Sequence, residues 1–152
     1  MKLEFYNQLV DNAEFCRALG RVMLASSKLE IELKQYLRIH GKDLSERAAT
    51  LGNLIKILKK NGHLTTNGEI HFGQVNLQRN YLVHNLYGSF VGEIENWLLP
   101  IEDLVPEDIE LYVEKTELTA NNLIFYSKIV CDAIKKYNDE AAQKESKTTT
   151  LL

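Results

Sequence analysis

Proline and cysteine are scarce in this chain, two of each in 152 residues, with one tryptophan. Two cysteines cannot frame a disulfide-stapled secreted fold. Cys16 and Cys131 both fall among apolar neighbours at helical spacing and read as reduced core thiols. No apolar run approaches the ~20 residues that a membrane-spanning helix needs. The lysine of Met1-Lys2-Leu3-Glu4-Phe5 is not followed by the apolar stretch of a signal peptide, so a cytoplasmic location is expected. Positive charge is also in deficit, with 18 Lys and Arg against 21 Asp and Glu, a net charge of −3. Such a chain has no general field for nucleic acid, and any RNA contact must come from a local basic patch. No stretch alternates in the manner of a strand, and no internal repeat is present. There is no Gly-x-Ser-x-Gly, no phosphate-cradling glycine loop and no cysteine beside a histidine motif. His63 and His71 lack the cysteines or spaced carboxylates of a metal site, so neither metal nor cofactor is expected.

What the chain has instead is helical periodicity. Hydrophobic residues make up 45% and charged residues 26%, enough apolar matter for a single core in one domain. From about Asn7 to Ile39, Leu9, Ala13, Cys16, Val22, Met23, Ser26, Leu29, Leu33 and Leu37 recur at three- and four-residue steps. They predict one long helix, or two joined near Gly20. Glu30 and Lys34 are spaced to pair on its exposed flank. His40 suits the negative end of the helix dipole, and Gly41 stops it. Asp43 to Glu46 has the form of a capping box opening a second helix. That helix runs to about Lys60 on a stripe of Leu51, Leu54, Ile55 and Leu58, and Gly62 ends it. A third begins with Asn67 as its cap and reaches about Phe90. Ile70, Leu77, Tyr81 and His84 share one side of it; Val75, Leu82 and Leu86 lie on another. Gly88 and Gly92 loosen its end. Asn96 to Pro100 marks a turn whose Trp97 is expected to plug the open end of the bundle. Pro106-Glu107-Asp108 opens a last helix carrying Ile109, Val113, Ala120, Leu123, Val130, Ile134 and Tyr137, with a break expected near Lys115 to Leu118. The whole predicts an all-α protein, an antiparallel bundle of four to five helices over residues 1–140, with a flexible polar tail at 141–152.

The third helix carries Arg79-Asn80-Tyr81-Leu82-Val83-His84-Asn85, odd company for a core helix. In α-helical geometry Arg79 and His84 stand about 140° apart around the axis and about 7.5 Å along it. Asn80, Val83 and Tyr87 fall inside that arc. One face therefore presents a cation, an amide, a phenol and an imidazole, with Val83 as its only aliphatic. Lys56, Lys59 and Lys60, near the end of the second helix, either complement its dipole or track a phosphate backbone. Between Glu93 and Glu117 nine acidic residues stand against one lysine, a segment that repels a phosphate backbone and suits a basic partner.

An arginine followed by a polar residue, with a histidine after Arg-x4, on a helix of a small all-helical chain, resembles the HEPN family. These are helical domains found in many prokaryotic toxins and anti-phage proteins. The Leu51-Gly52-Asn53-Leu54 helix start, the motif helix and the long final helix carry the resemblance over roughly residues 5 to 140. It implies a homodimer in which two Arg79–His84 sets line one cleft, acting on RNA without metal or cofactor. It also implies a cognate antitoxin or a defence-system partner. Some members carry a tyrosine two positions after the histidine, modified by a partner enzyme. This chain departs from that pattern, with Leu86 there and Tyr87 one position later.

The residues fit that chemistry on their own terms. RNA brings its own nucleophile, the 2′-hydroxyl, and its cleavage needs a base, an acid for the leaving 5′-oxygen and a cation for the charge growing on phosphorus. Histidine is the side chain suited to both proton transfers near neutrality, which makes His84 the candidate base or acid. Arg79 can hold two phosphate oxygens at once, and Asn80 or Tyr87 can orient phosphate or imidazole. One histidine cannot serve as base and acid in a single step, whereas a twofold dimer supplies two. Three other readings compete. Arg79 pairs with a carboxylate such as Glu30 while His84 is a satisfied core histidine; or the domain binds RNA, a nucleotide or a protein without cutting; or the acidic segment holds a protein partner.

Overall fold

The computed structural model describes residues 2–44, 50–92 and 104–150, with side chains described through 145. All of the regular structure in these residues is helical, and the protein is an all-α bundle. The helices are α1 (Lys2–Asp11), α2 (Ala13–Ile39), α3 (Leu51–Lys60), α4 (Thr66–Asn80), α5 (Leu86–Phe90) and α6 (Asp108–Thr150), with a π-helical turn at Tyr81–Asn85 between α4 and α5.

Local chemistry sets most of the boundaries. The first helical stretch is broken at Asn12, not at Gly20. The Asn12 side chain accepts from the Phe15 N–H at 2.8 Å and so caps α2, while Gly20 is carried inside the helix. At the far end Gly41 takes φ +79°, and the Lys42 N–H reaches back to Leu37 O at 3.0 Å. The same closure ends α3, with Gly62 at φ +71° and the His63 N–H on Leu58 O at 3.0 Å. Thr50 caps α3, and Thr65, rather than Asn67, caps α4 through the Gly68 N–H at 3.0 Å. The capping box expected at Asp43–Glu46 reaches beyond the described residues at Ser45 and Glu46, and the Trp97 turn lies outside them altogether. The last helix opens where Pro106 predicts, with Asp108 Oδ2 accepting from the Val105 N–H at 2.9 Å. No break occurs near Lys115 to Leu118. The helix runs on through Thr150, so residues 141–150 are helical backbone, with exposed side chains at 141–145.

One core runs through the bundle. Leu9, Val22, Leu29, Leu33, Leu37, Leu51, Leu54, Leu58, Leu82, Leu123 and their neighbours are buried together. Each fully buried Leu or Val contributes roughly 1.5–3 kcal/mol of transfer free energy. At one end an aromatic group closes it, with Phe5 5.8 Å from Phe90 and 5.4 Å from Tyr112 between ring centroids. Residue pairs fix the directions. Lys59 meets Glu69 and Gly52 meets Asn76, so α3 and α4 are antiparallel. Phe72 meets Tyr126 and Tyr81 meets Tyr112, so α4 is antiparallel to α6 as well. Arg21 meets Asn121, Glu32 meets Ser127 and His40 meets Tyr137, so α2 and α6 run the same way.

The cysteines are corrected from core to surface. Both are free thiols on exposed residues. Cys131 nevertheless has a fixed partner, donating to Glu32 Oε1 at 2.9 Å. Glu32 is a buried carboxylate that also accepts from the Ser127 hydroxyl and pairs with Lys28 at 3.6 Å. That negative charge, with desolvation behind it, pushes the Cys131 thiol up.

Candidate active site at the end of the motif helix

Arg79 lies on the last turn of α4, where α4 crosses α2 and the start of α3. Its Nε donates to Ser26 Oγ at 2.9 Å, one terminal nitrogen to Asn80 Oδ1 at 2.8 Å, and the other to Glu30 Oε1 at 3.2 Å. The same Glu30 oxygen accepts the Leu51 N–H at 3.2 Å, the first backbone donor of α3. Glu30 therefore turns inward to tie three helices together, instead of pairing with Lys34 on the flank. The arginine and glutamate side chains are 18% and 20% exposed. These ties use one N–H of each terminal nitrogen, and the second N–H of each has no partner among the described residues.

His84 lies five residues on, within the π-helical turn. An i→i+5 ladder takes more residues per turn than an α-helix. The arc between Arg79 and His84 is thus narrower than the ~140° of an unbroken α-helix. The same widening lets Tyr81 and Leu86, five apart, both reach the core, where they are buried. The Tyr81 hydroxyl meets Ser89 Oγ at 3.0 Å, and burial keeps it protonated far above neutrality. His84 is exposed and makes no hydrogen bond to another described residue. Its imidazole is not walled off by leucines.

The other residues of the motif are divided. Asn80 is half-buried; its carbonyl oxygen serves Arg79, and its amide N–H groups have no partner among the described residues. Val83 packs against the core. Tyr87 is about half exposed and meets Tyr6 of α1 edge-on at 5.1 Å. Lys56, Lys59 and Lys60 are exposed, and Lys59 Nζ is 3.2 Å from Glu69 Oε2. Since Glu30 and Arg79 meet at the first residue of α3, Lys59 and Lys60 stand about 12–14 Å farther along that helix. They do not converge on Arg79. Ile70 and Leu77, expected on an inner stripe with Tyr81, are half exposed.

Sequence reasoning named Glu30 as a partner for Arg79 but missed Ser26, which periodicity assigned to the core stripe; only its hydroxyl hinted at a polar task. Beside Ser26 and Glu30, α2 exposes Met23, Leu24 and Ile31, with Leu24 75% exposed. At 100° per residue these lie about 60–160° around α2 from Ser26, on the solvent side of the Arg79 ties. Away from this face, Glu14, Glu110, Glu114 and Glu117 line a groove between α2 and α6, with Arg17 as its one cation. No three described His, Cys, Asp or Glu side chains gather as metal ligands, and no described helix is long and apolar enough to cross a membrane. Comparison with family models, with curated protein sequences and with solved structures finds no match to this chain.

Proposed function

We propose that the protein is a HEPN-like, metal-independent endoribonuclease of a toxin–antitoxin or anti-phage defence system, working as a homodimer. The observation that carries this is a guanidinium held by three partners, followed five positions later by an exposed imidazole that bonds no other described residue. Arg79 is pre-oriented by Ser26, Asn80 and Glu30 and keeps two donors for a phosphate. His84 of one protomer takes the 2′-hydroxyl proton, and His84 of the other protonates the leaving 5′-oxygen. Arg79 steadies the charge on the phosphoryl oxygens, with the Asn80 amide beside it. The exposed Met23, Leu24 and Ile31 of α2 supply an apolar surface for a second copy.

One observation favours a different reading. Glu30 compensates the charge of Arg79, and an arginine so engaged serves equally as an interhelical tie in a module that binds RNA, a nucleotide or a protein without cutting. Incubating the purified protein with single-stranded and hairpin RNA in a chelator separates the two. The nuclease yields fragments ending in 2′,3′-cyclic phosphate. RNA retained on the protein and recovered whole would overturn the nuclease reading in favour of the binding module.

A further inference from the structure

About 15 Å along α2 from Glu30, at ten residues of helical rise, a second group of polar side chains comes together. Tyr36 and His40 end α2, His63 follows α3, and Tyr137 stands on α6. The His40 ring lies 4.3 Å from Tyr36, 4.9 Å from His63 and 4.8 Å from Tyr137, measured between centroids. His40 Nδ1 donates to the Tyr36 carbonyl at 2.9 Å, which leaves its Nε2 for another partner. His63 Nδ1 meets the Tyr36 hydroxyl at 3.2 Å, so its Nε2 too is left for another partner. Burial, and then the neighbouring His40 and Lys42, hold His63 below the ordinary histidine range. No carboxylate of the described residues counters them. Two imidazoles with a lysine nearby favour an anion.

Two of these residues stand at the edge of an apolar hollow. Tyr36 and His63 border a cavity of about 120 Å³ lined by Leu58, Leu64, Phe72, Val130 and Ala133. A dry cavity of roughly 150 Å³ takes up a benzene molecule, so this one suits a single ring or a branched aliphatic group. An apolar recess with a few convergent polar groups at its rim is the usual form of a small-molecule site.

We propose that this cleft binds a small carboxylic acid with an apolar body, aromatic or branched aliphatic, whose body fills the recess while its carboxylate is received by Nε2 of His40 and of His63 beside Lys42. The site is separate from the Arg79–His84 face and stands whether or not that face cuts RNA. The probes are benzoate and its neutral analogue benzyl alcohol, titrated into the full chain with the histidine rings followed by NMR. Benzoate is expected to shift both the His40 and His63 rings saturably and to bind at least tenfold more tightly than benzyl alcohol. His40→Gln and His63→Gln each weaken benzoate several-fold, and together they reduce it to the level of the alcohol. Ala133→Phe, which fills the recess, removes both ligands; Ala133→Leu does the same job if the larger residue disturbs folding. Absence of saturable shifts overturns the proposal, as does equal affinity for acid and alcohol. Benzoate binding that survives the double histidine variant overturns it as well.

Discussion

Arg79 and Glu30, 49 positions apart in sequence, meet at 3.2 Å, and the same glutamate oxygen holds the first backbone N–H of α3. The pair is therefore a junction of α2, α3 and α4 as well as part of the candidate site. Removing one member leaves a partly buried charge or amide without its partner, which costs about 1–3 kcal/mol. Glu30→Ala and Arg79→Ala should each lower the urea midpoint by that order. The double variant should lose clearly less than the sum, since the two share one interaction. Additive losses would mean that the contact carries no coupling.

His84 should behave in the opposite way. It is exposed and hydrogen-bonded to no other described residue, so His84→Ala should change stability by no more than about 0.5 kcal/mol. RNA cleavage in a chelator should fall to background. Arg79→Lys keeps the charge but loses the planar fork, and should also cut turnover by about tenfold or more. Undiminished cleavage by the alanine variant removes His84 from the reaction.

Cys131 offers a test by pH. Glu32 accepts its hydrogen bond and opposes formation of the thiolate, so the folded thiol titrates above its ordinary value. At pH 8 the thiolate fraction, and with it the rate of alkylation, is below that of an unperturbed cysteine. Glu32→Gln lowers the thiol pKa and should speed alkylation several-fold in a Cys16→Ser background. An unchanged rate would show that the carboxylate does not govern the thiol.

Gly20 stands mid-way in α2 with nothing within 4 Å of an added Cβ. Gly20→Ala should therefore stabilise the protein by about 0.5–1 kcal/mol through helix propensity alone, read as a raised Tm. Gly52 is different. A Cβ there would come 3.3 Å from the Asn76 amide, so the same change should gain less or lose, because α3 and α4 would have to part slightly.

His63 sets the acid limb of stability. Its pKa is held down in the folded protein by desolvation, His40 and Lys42, so protons favour the unfolded chain. The associated stability is present above the ordinary histidine value and is lost as pH falls through the lower folded value. His63→Gln should flatten the stability profile on the acid side of the ordinary histidine value, about pH 6.5. An identical acid limb in the variant would assign that loss to other groups.

The helical class was legible because apolar residues recur at three and four along most of the chain, and because Gly41, Gly62 and Pro106 sit where helices must end or begin. The break at Asn12 was not, since a capping asparagine is quieter in sequence than a glycine that turns out to be helical. Arg79 and His84 drew attention through their company. Their azimuth was misjudged because nothing in Tyr81–Asn85 announces a change from an i→i+4 to an i→i+5 ladder; that choice is made by how Tyr81, Leu82 and Leu86 fit the core. The gathering of Tyr36, His40, His63 and Tyr137 was invisible for a simpler reason. Its members come from three separate stretches of the chain, and each taken alone has an ordinary explanation at a helix end.

The widened turn at Tyr81–Asn85 has a geometric corollary. A ladder with more residues per turn seats Tyr81 and Leu86 in the core while His84, between them, stays outside. The exposed imidazole is thus bracketed by two buried anchors, a phenol before it and a leucine after it.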